Sequence, residues 1–400
     1  MHALHDNYNL TPVQHTRSVG LIARVQSLYD QAPAYAASKG LDPALVLPGN
    51  EWATYVPAQG LKFRSNYSEI NYLRLNAPFI GYYLPILDRL DRRRYPDDGG
   101  EQFVMQLDKD GIPDDIADIL PRRMNMLERL LPHAPEYQTI VRRVPANYVV
   151  RTPRIMGEIG LEIGGVIANP DVIICQSRIN GLLSSGVIDK VHADIRERGR
   201  ARVLEIGPGY GALAAALKGI FKDKLEYILV DLPSSLYHST LYLTALADGE
   251  GCHLLEPGSA VPDRFDYLFV SNYLLEEFAA TLGPLDLAIN TMSFPEMSAE
   301  QVRFYVEYLR RLLRPDGLVF DENGVYLAHH TDSDAILGSA FPYRKRVSSV
   351  LGISRDCQNV WSSRYIREVF DCQDVMLGRV QYLRGPSAGV AGCEDEHQAS

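Results

Sequence analysis

The chain has 400 residues, 46% of them apolar, which exceeds one minimal domain and predicts two domains, or one with a large helical extension. Its net charge of −10 gives no bulk attraction for a phosphate backbone, which argues against a nucleic-acid partner. The five cysteines (Cys175, Cys252, Cys357, Cys372, Cys393) are scattered and never form a CxxC pair, so neither a disulfide framework nor structural zinc is expected, and no compact spacing of Asp, Glu or His supports another metal site. No apolar run is long enough to span a bilayer, and Met1 to Asp6 carries neither a basic nor an apolar leader region. A cytoplasmic protein with no membrane partner is the resulting expectation.

Residues 1 to about 150 read as a helical region broken by prolines and glycines. Leu21 to Ala37 has helical spacing, with Pro33 as its one strong breaker. Ile116 to Leu131 is similar, interrupted at Pro121. Residues 151–200 form a helical bridge. Met156 to Gly165 is too glycine-rich for a helix interior, Asn169-Pro170-Asp171 opens a helix over roughly Val172 to Leu183, and a second runs from about Ile188 to Arg198.

From Ala201 strand and helix alternate. Val203 to Ile206 reads as a buried strand, Ala212 to Phe221 as a helix, and Tyr227 to Val230 as a second strand ending at Asp231. Pro233 suits the first turn of a helix reaching about Ala247. Tyr267 to Val270 and Leu285 to Ile289 are further strands. Ser298 and Gln301 form a capping-box signal for a helix with Val302, Tyr305, Val306, Leu309, Leu312 and Leu313 on one side. Arg314-Pro315-Asp316-Gly317 ends it, before a strand at Leu318 to Phe320. This alternation predicts an α/β class: a Rossmann-like parallel sheet with helices on both faces over residues 201–385, preceded by a mainly helical N-terminal domain. Residues 386–400 are Gly/Ala/Ser/acidic and expected to be disordered.

Glu205-Ile206-Gly207-Pro208-Gly209-Tyr210-Gly211 joins the first strand to the first helix. Three glycines at alternate positions let the backbone turn sharply and let a ligand lie against it. The helix start supplies free N–H groups and a positive dipole end. Asp231, at the end of the next strand, can accept both hydroxyls of a ribose. Gly207, Gly209 and Ala212 also fit the loose dinucleotide pattern, so two cofactors remain open at this point. Glu205 sits where a carboxylate attracts an ammonium group, and Pro208 removes an N–H that a pyrophosphate would want. Both features favour a sulfonium cofactor.

Val203 to Gly211 resembles the first motif of class I S-adenosylmethionine-dependent methyltransferases. Val230-Asp231-Leu232-Pro233 and Ile289-Asn290-Thr291-Met292-Ser293-Phe294-Pro295-Glu296-Met297 narrow the resemblance to the bacterial sugar O-methyltransferase family. In that family an E-I-G-x-G-Y-G loop, a V-D-L-P strand end and an N-T-x-S-F-x-E-M segment occur in this order. Met156 to Leu183 resembles the stretch before its Rossmann domain, so the resemblance covers about residues 150–330. It implies S-adenosyl-L-methionine as cofactor and a hydroxyl of a sugar or glycosylated metabolite as methyl acceptor. Residues 1–150 are then expected to bind that small-molecule acceptor or to form a homodimer.

The cofactor-binding residues expected on these grounds are Glu205, Gly207, Gly209, Tyr210, Gly211, Asp231, Leu232, Asn272, Asn290 and Arg178. Arg178, on the helix before the domain, would pair with the methionine carboxylate, or else make a surface salt bridge. Asn272 would lie near the adenine, and Tyr210 would shield the cofactor or pack on the loop. A hydroxyl is a poor nucleophile near neutral pH, so a base is wanted. Glu296, His329 and His330 are the candidates, with Glu296 alternatively complementing the helix opened at Ser298. His238 and His253 are weaker ones, and Asn290 and Ser293 would orient the acceptor. A peptide, amine or carboxylate acceptor, a nicotinamide-dependent oxidoreductase lacking a Y-x-x-x-K motif, and a non-catalytic binding protein are the competing readings.

Overall fold

The computed structural model describes residues 2–3, 10–48, 70, 73–76, 137–138, 141–142, 144–153, 155–158, 160–163, 165–323, 330–347, 358–363 and 380–384. The helix expected over Ile116 to Leu131, His329 and the tail from 386 lie outside them.

Helix α1, Pro12–Lys39, starts at a Thr11–Gln14 capping box and ends at Gly40, which is left-handed at φ 65°. Pro33 lies inside it without breaking it, contrary to the sequence expectation. The buried stripe Ile22, Val25, Leu28, Ala32 and Ala36 continues on both sides of the proline. Packing of that stripe against the molecule's core offsets the ~3 kcal/mol a mid-helix proline costs. Two short helices follow, α2 (Pro43–Val46) and α3 (Leu73–Asn76).

The glycine-rich start of the bridge is a hairpin, not a helix. Strands β2 (Gly160–Ile163) and β3 (Val166–Ala168) pair antiparallel, and β1 (His2–Ala3) joins β2 to make a three-stranded sheet. A Cβ at Gly160 would lie 2.3 Å from Ile167, so the close pairing requires glycine there. The bridge then supplies α4 (Pro170–Ser184), capped by the Asn169 side chain accepting from Val172 N at 2.9 Å, and α5 (Val187–Arg198).

The main sheet comprises β4 (Ala201–Ile206), β5 (Leu225–Asp231), β6 (Cys252–Leu254), β7 (Tyr267–Ser271), β8 (Leu285–Thr291), β9 (Leu313–Glu322), β10 (Tyr343–Val347), β11 (Gln358–Ser362) and β12 (Val380–Arg384). Its order is β12-β10-β11-β9-β8-β4-β5-β7-β6. Helices α6 (Ala212–Phe221), α7 (Pro233–Leu246), α8 (Leu275–Leu282), α9 (Ala299–Leu312) and α10 (Ser333–Ala340) connect and flank it. The six strands from β6 to β9 are parallel, and the inner ones carry apolar runs such as Tyr227 to Val230, as a sheet covered on both faces demands.

Two details depart from the sequence reading. β9 begins at Leu313 rather than Leu318, running through Pro315 with an irregular register opposite Leu285 and Leu287. Beyond β9 the sheet is antiparallel: β11 pairs with β9 and β10 in the opposite sense, and β12 adds to β10. The fold is Rossmann-like and mixed, not wholly parallel. Among the described residues no helix is long and apolar enough to cross a membrane.

Candidate functional site

From β4 the chain moves to β5 on one side, and from β7 it returns to β8 on the other. The reversal opens a cleft beyond the carboxyl ends of these strands, where open α/β sheets bind ligands. The glycine loop forms its floor. Gly207, Gly209 and Gly211 have φ of 68°, 58° and 92°, the left-handed region that side chains avoid. Their roles differ. Gly207 and Gly209 line the cleft, and the space above Gly209 is open. Gly211 does not line it; it caps α6, and an added Cβ would lie 2.7 Å from Leu243.

Glu205 is 1% exposed and lines the cleft, accepting from the Tyr227 hydroxyl at 2.8 Å. Burial pushes its carboxyl up to about 7, against the opposing pull of the Tyr227 hydroxyl and Arg178. Asp231 at the end of β5 is half-buried and faces the cleft, its Oδ1 accepting from Leu232 N at 2.8 Å. Crowding by protein pushes it up to about 8 although it still reaches the cleft, and Glu205 adds to the shift. Leu232 lines the same wall.

Tyr210 packs within the loop wall rather than lying free over it. Its ring has Arg74 3.5 Å from its centre on one side and the edge of Tyr242 at 5.1 Å. Arg178 lines the cleft, but its ion pair is buried, not on the surface: Nε donates to Glu322 Oε1 at 3.1 Å. Asn272 lines the cleft, and its amide donates to the Val46 carbonyl at 2.7 Å, which ties α2 to the site. Gln301 does the same to the Leu47 carbonyl at 3.1 Å.

Asn290 departs from its expected role. It is fully buried outside the cleft lining, donating to the Ile206 carbonyl at 3.0 Å and to Ser293 Oγ at 2.5 Å. It latches the end of β4 to the loop after β8 and presents no amide to a ligand. Ser293 does line the cleft, and its Oγ stands 2.4 Å from where a Gly207 Cβ would be. Beside it Met292 is left-handed at φ 62°, a strained position for a bulky side chain and one often found at working sites.

Glu296 lines the cleft at 7% exposure. His330 is half-buried and does not line it, yet the next residue binds the same segment: Thr331 N donates to the Pro295 carbonyl at 3.0 Å and its Oγ1 to the Met297 carbonyl at 2.6 Å. His238 is outside the cleft lining, and burial holds its imidazole down at about 4; His253 is exposed on β6. Among the described residues no three His, Cys, Asp or Glu are grouped to hold a metal ion.

The sequence reading missed Asp171, Cys175, Tyr305 and Arg74. Asp171 looked like ordinary helix-start chemistry, and Arg74 sits in no periodic pattern. Nothing local marks either as part of the site.

No family model matches the chain, and neither does any curated protein. Among solved structures the chain is similar to a mitomycin 7-O-methyltransferase, with 15% identity over 48% of this chain and 57% of that one, at a TM-score of 0.30. An O-methyltransferase family protein from Burkholderia thailandensis matches at 13% identity over 48% and 58%, TM-score 0.30. Fibrillarin from Aeropyrum pernix, solved with natively bound S-adenosyl-L-methionine, matches at 13% over 44% and 76%, TM-score 0.29. The chain thus spans less than two thirds of the two O-methyltransferases.

Proposed function

We propose that this chain moves a methyl group from S-adenosyl-L-methionine to a hydroxyl of a small-molecule acceptor, a sugar or glycosylated metabolite. One observation carries the reading. At the switch point a single cleft joins Glu205 and a proline-interrupted glycine loop to Asp231 and the Met292–Met297 segment. The donor set suits that cofactor: carboxylates for an ammonium and a ribose diol, an open cradle at Gly209, and Pro208 in place of an N–H that a pyrophosphate would use. The antiparallel β11 beside β9 also departs from the all-parallel order usual for dinucleotide sites.

Bound there, the cofactor supplies an activated methyl group. The chain's part is to align the acceptor with it, exclude water and take up the acceptor's proton. Asp231 would hold the ribose, and Glu205 and Arg178 the amino-acid end. Glu296, in the buried wall after β8, is the proton acceptor best placed at the cleft, with His330, next to the Thr331 that binds the same segment, as the alternative. Asn272 and Gln301 would act indirectly, by holding residues 46–47 at the rim.

Calorimetry with S-adenosylmethionine, S-adenosylhomocysteine and NAD, on wild type and Asp231→Ala, tests the cofactor. Binding of the two sulfur compounds alone, lost in the variant, supports it and justifies an acceptor screen beginning with sugars. NAD binding without either sulfur compound would replace methyl transfer by hydride transfer.

A further inference from the structure

We infer that the Asp171 carboxylate, held from behind by Arg74, receives the ammonium group of the ligand at the inner end of the cleft. The inference rests on the cofactor reading above and adds the residues that would recognise the cofactor's amino-acid end.

Asp171 is the second residue of α4, 3% exposed, and it lines the cleft. Its Oδ2 accepts from Arg74 Nη2 at 2.6 Å, while Oδ1 has no hydrogen-bond partner among the described residues. A buried carboxylate oxygen left unpaired is unfavourable, and a donor from the ligand would satisfy it. An acid that merely complemented the helix dipole would sit in solvent and need no buried arginine.

Acids outnumber bases around it. Cys175 lies within electrostatic reach of Asp171, Glu205, Arg178 and Glu322. Arg74 is also buried and donates through Nε to Glu158 at 2.8 Å. Two guanidiniums, Arg74 and Arg178, therefore face four carboxyls: Glu158, Asp171, Glu205 and Glu322. Buried negative charge in excess of its counter-ions favours a cationic ligand group.

Arg74 touches no cleft surface of its own. It is a positioning residue that orients Asp171 and stacks on Tyr210 of the glycine loop, from a helix whose Arg74 N–H is tied to the Met156 carbonyl at 2.8 Å. Through it the part of the chain before residue 150 contributes to the cofactor end of the cleft as well as to any acceptor pocket.

The test compares S-adenosylhomocysteine with its analogue in which the α-ammonium is replaced by hydrogen, both titrated calorimetrically into the full chain. Wild type should prefer the amine-bearing ligand by about tenfold or more, the scale of one charge-assisted hydrogen bond. Asp171→Asn should reduce that preference to about threefold or less while changing affinity for the amine-free analogue little. Asp171→Ser replaces it if the asparagine variant does not fold, since the smaller side chain leaves room for water on Arg74. Arg74→Lys should likewise lower the preference more than the amine-free affinity, whereas a purely structural role would weaken both ligands equally. A full preference retained without the Asp171 charge, or absent in wild type, overturns the inference while leaving the cofactor reading intact. A wild type that binds neither compound removes both.

Discussion

Raising the pH from 6 to 8 should tighten S-adenosylhomocysteine binding by more than an order of magnitude, and Asp231→Asn should remove most of that gain. The carboxyl of Asp231 is pushed up to about 8 by burial, and a ribose diol that donates to it needs the ionised form. At pH 6 only ~1% is ionised, and at pH 8 ~50%, so ionisation alone contributes up to ~50-fold. Because Asp231 is only half-buried, water in the cleft makes that figure an upper bound. Glu205, at about 7, ionises over the same range and adds a smaller gain by longer-range attraction for the ammonium. The variant should therefore keep only a shallow slope, and at pH 8 bind ~10–100-fold more weakly, since it loses a charged acceptor worth ~1.5–3 kcal/mol. Calorimetry at fixed salt measures the affinities. Repeating it in two buffers of different ionisation heat counts the protons released, which should approach one to two per ligand near pH 7. Binding independent of pH in the wild type, or an unchanged slope in Asp231→Asn, would refute the reasoning.

Other outcomes follow from the same geometry. The carboxyls of Glu205 and Asp231 are both raised by burial, to about 7 and 8, so their favourable contribution is complete below their unfolded values near pH 4 and is lost as pH rises through 7 to 8. In thermal melts of the ligand-free protein, Asp231→Asn should match wild type near pH 4 and exceed its Tm at pH 8.5. Gly211→Ala places a Cβ against Leu243 at φ 92° and should cost ~1–3 kcal/mol of stability, read by urea unfolding, since both strain and overpacking oppose it. Gly207→Ala should abolish cofactor binding by pushing Ser293 aside, and adding Ser293→Gly should recover part of it, because the steric conflict goes while the backbone strain stays. Glu296→Gln should lower the methyl-transfer rate ~100-fold or more with cofactor affinity unchanged, as for loss of a proton acceptor.

Periodicity and local chemistry made much of this chain legible in advance. Short apolar runs such as Tyr227 to Val230, bounded by turn signals, read as strands covered on both faces, and the Ser298–Gln301 box and Asn169-Pro170 start α9 and α4 where the sequence places them. The glycine loop and Asp231 announce the cleft because short-range constraints, left-handed φ and a strand end, are written in consecutive residues. Long-range pairing is not written that way. Pro33 reads as a breaker until the packing of α1 on both sides of it is counted, and the antiparallel return of β11 between β9 and β10 depends on which edge is free, not on the strand's own residues. Asn290 looks like a ligand contact, yet the tertiary structure turns its amide onto the Ile206 carbonyl. Arg74 and Asp171 are 97 residues apart and meet only after folding, because a buried charge needs a partner and the chain found it across the molecule.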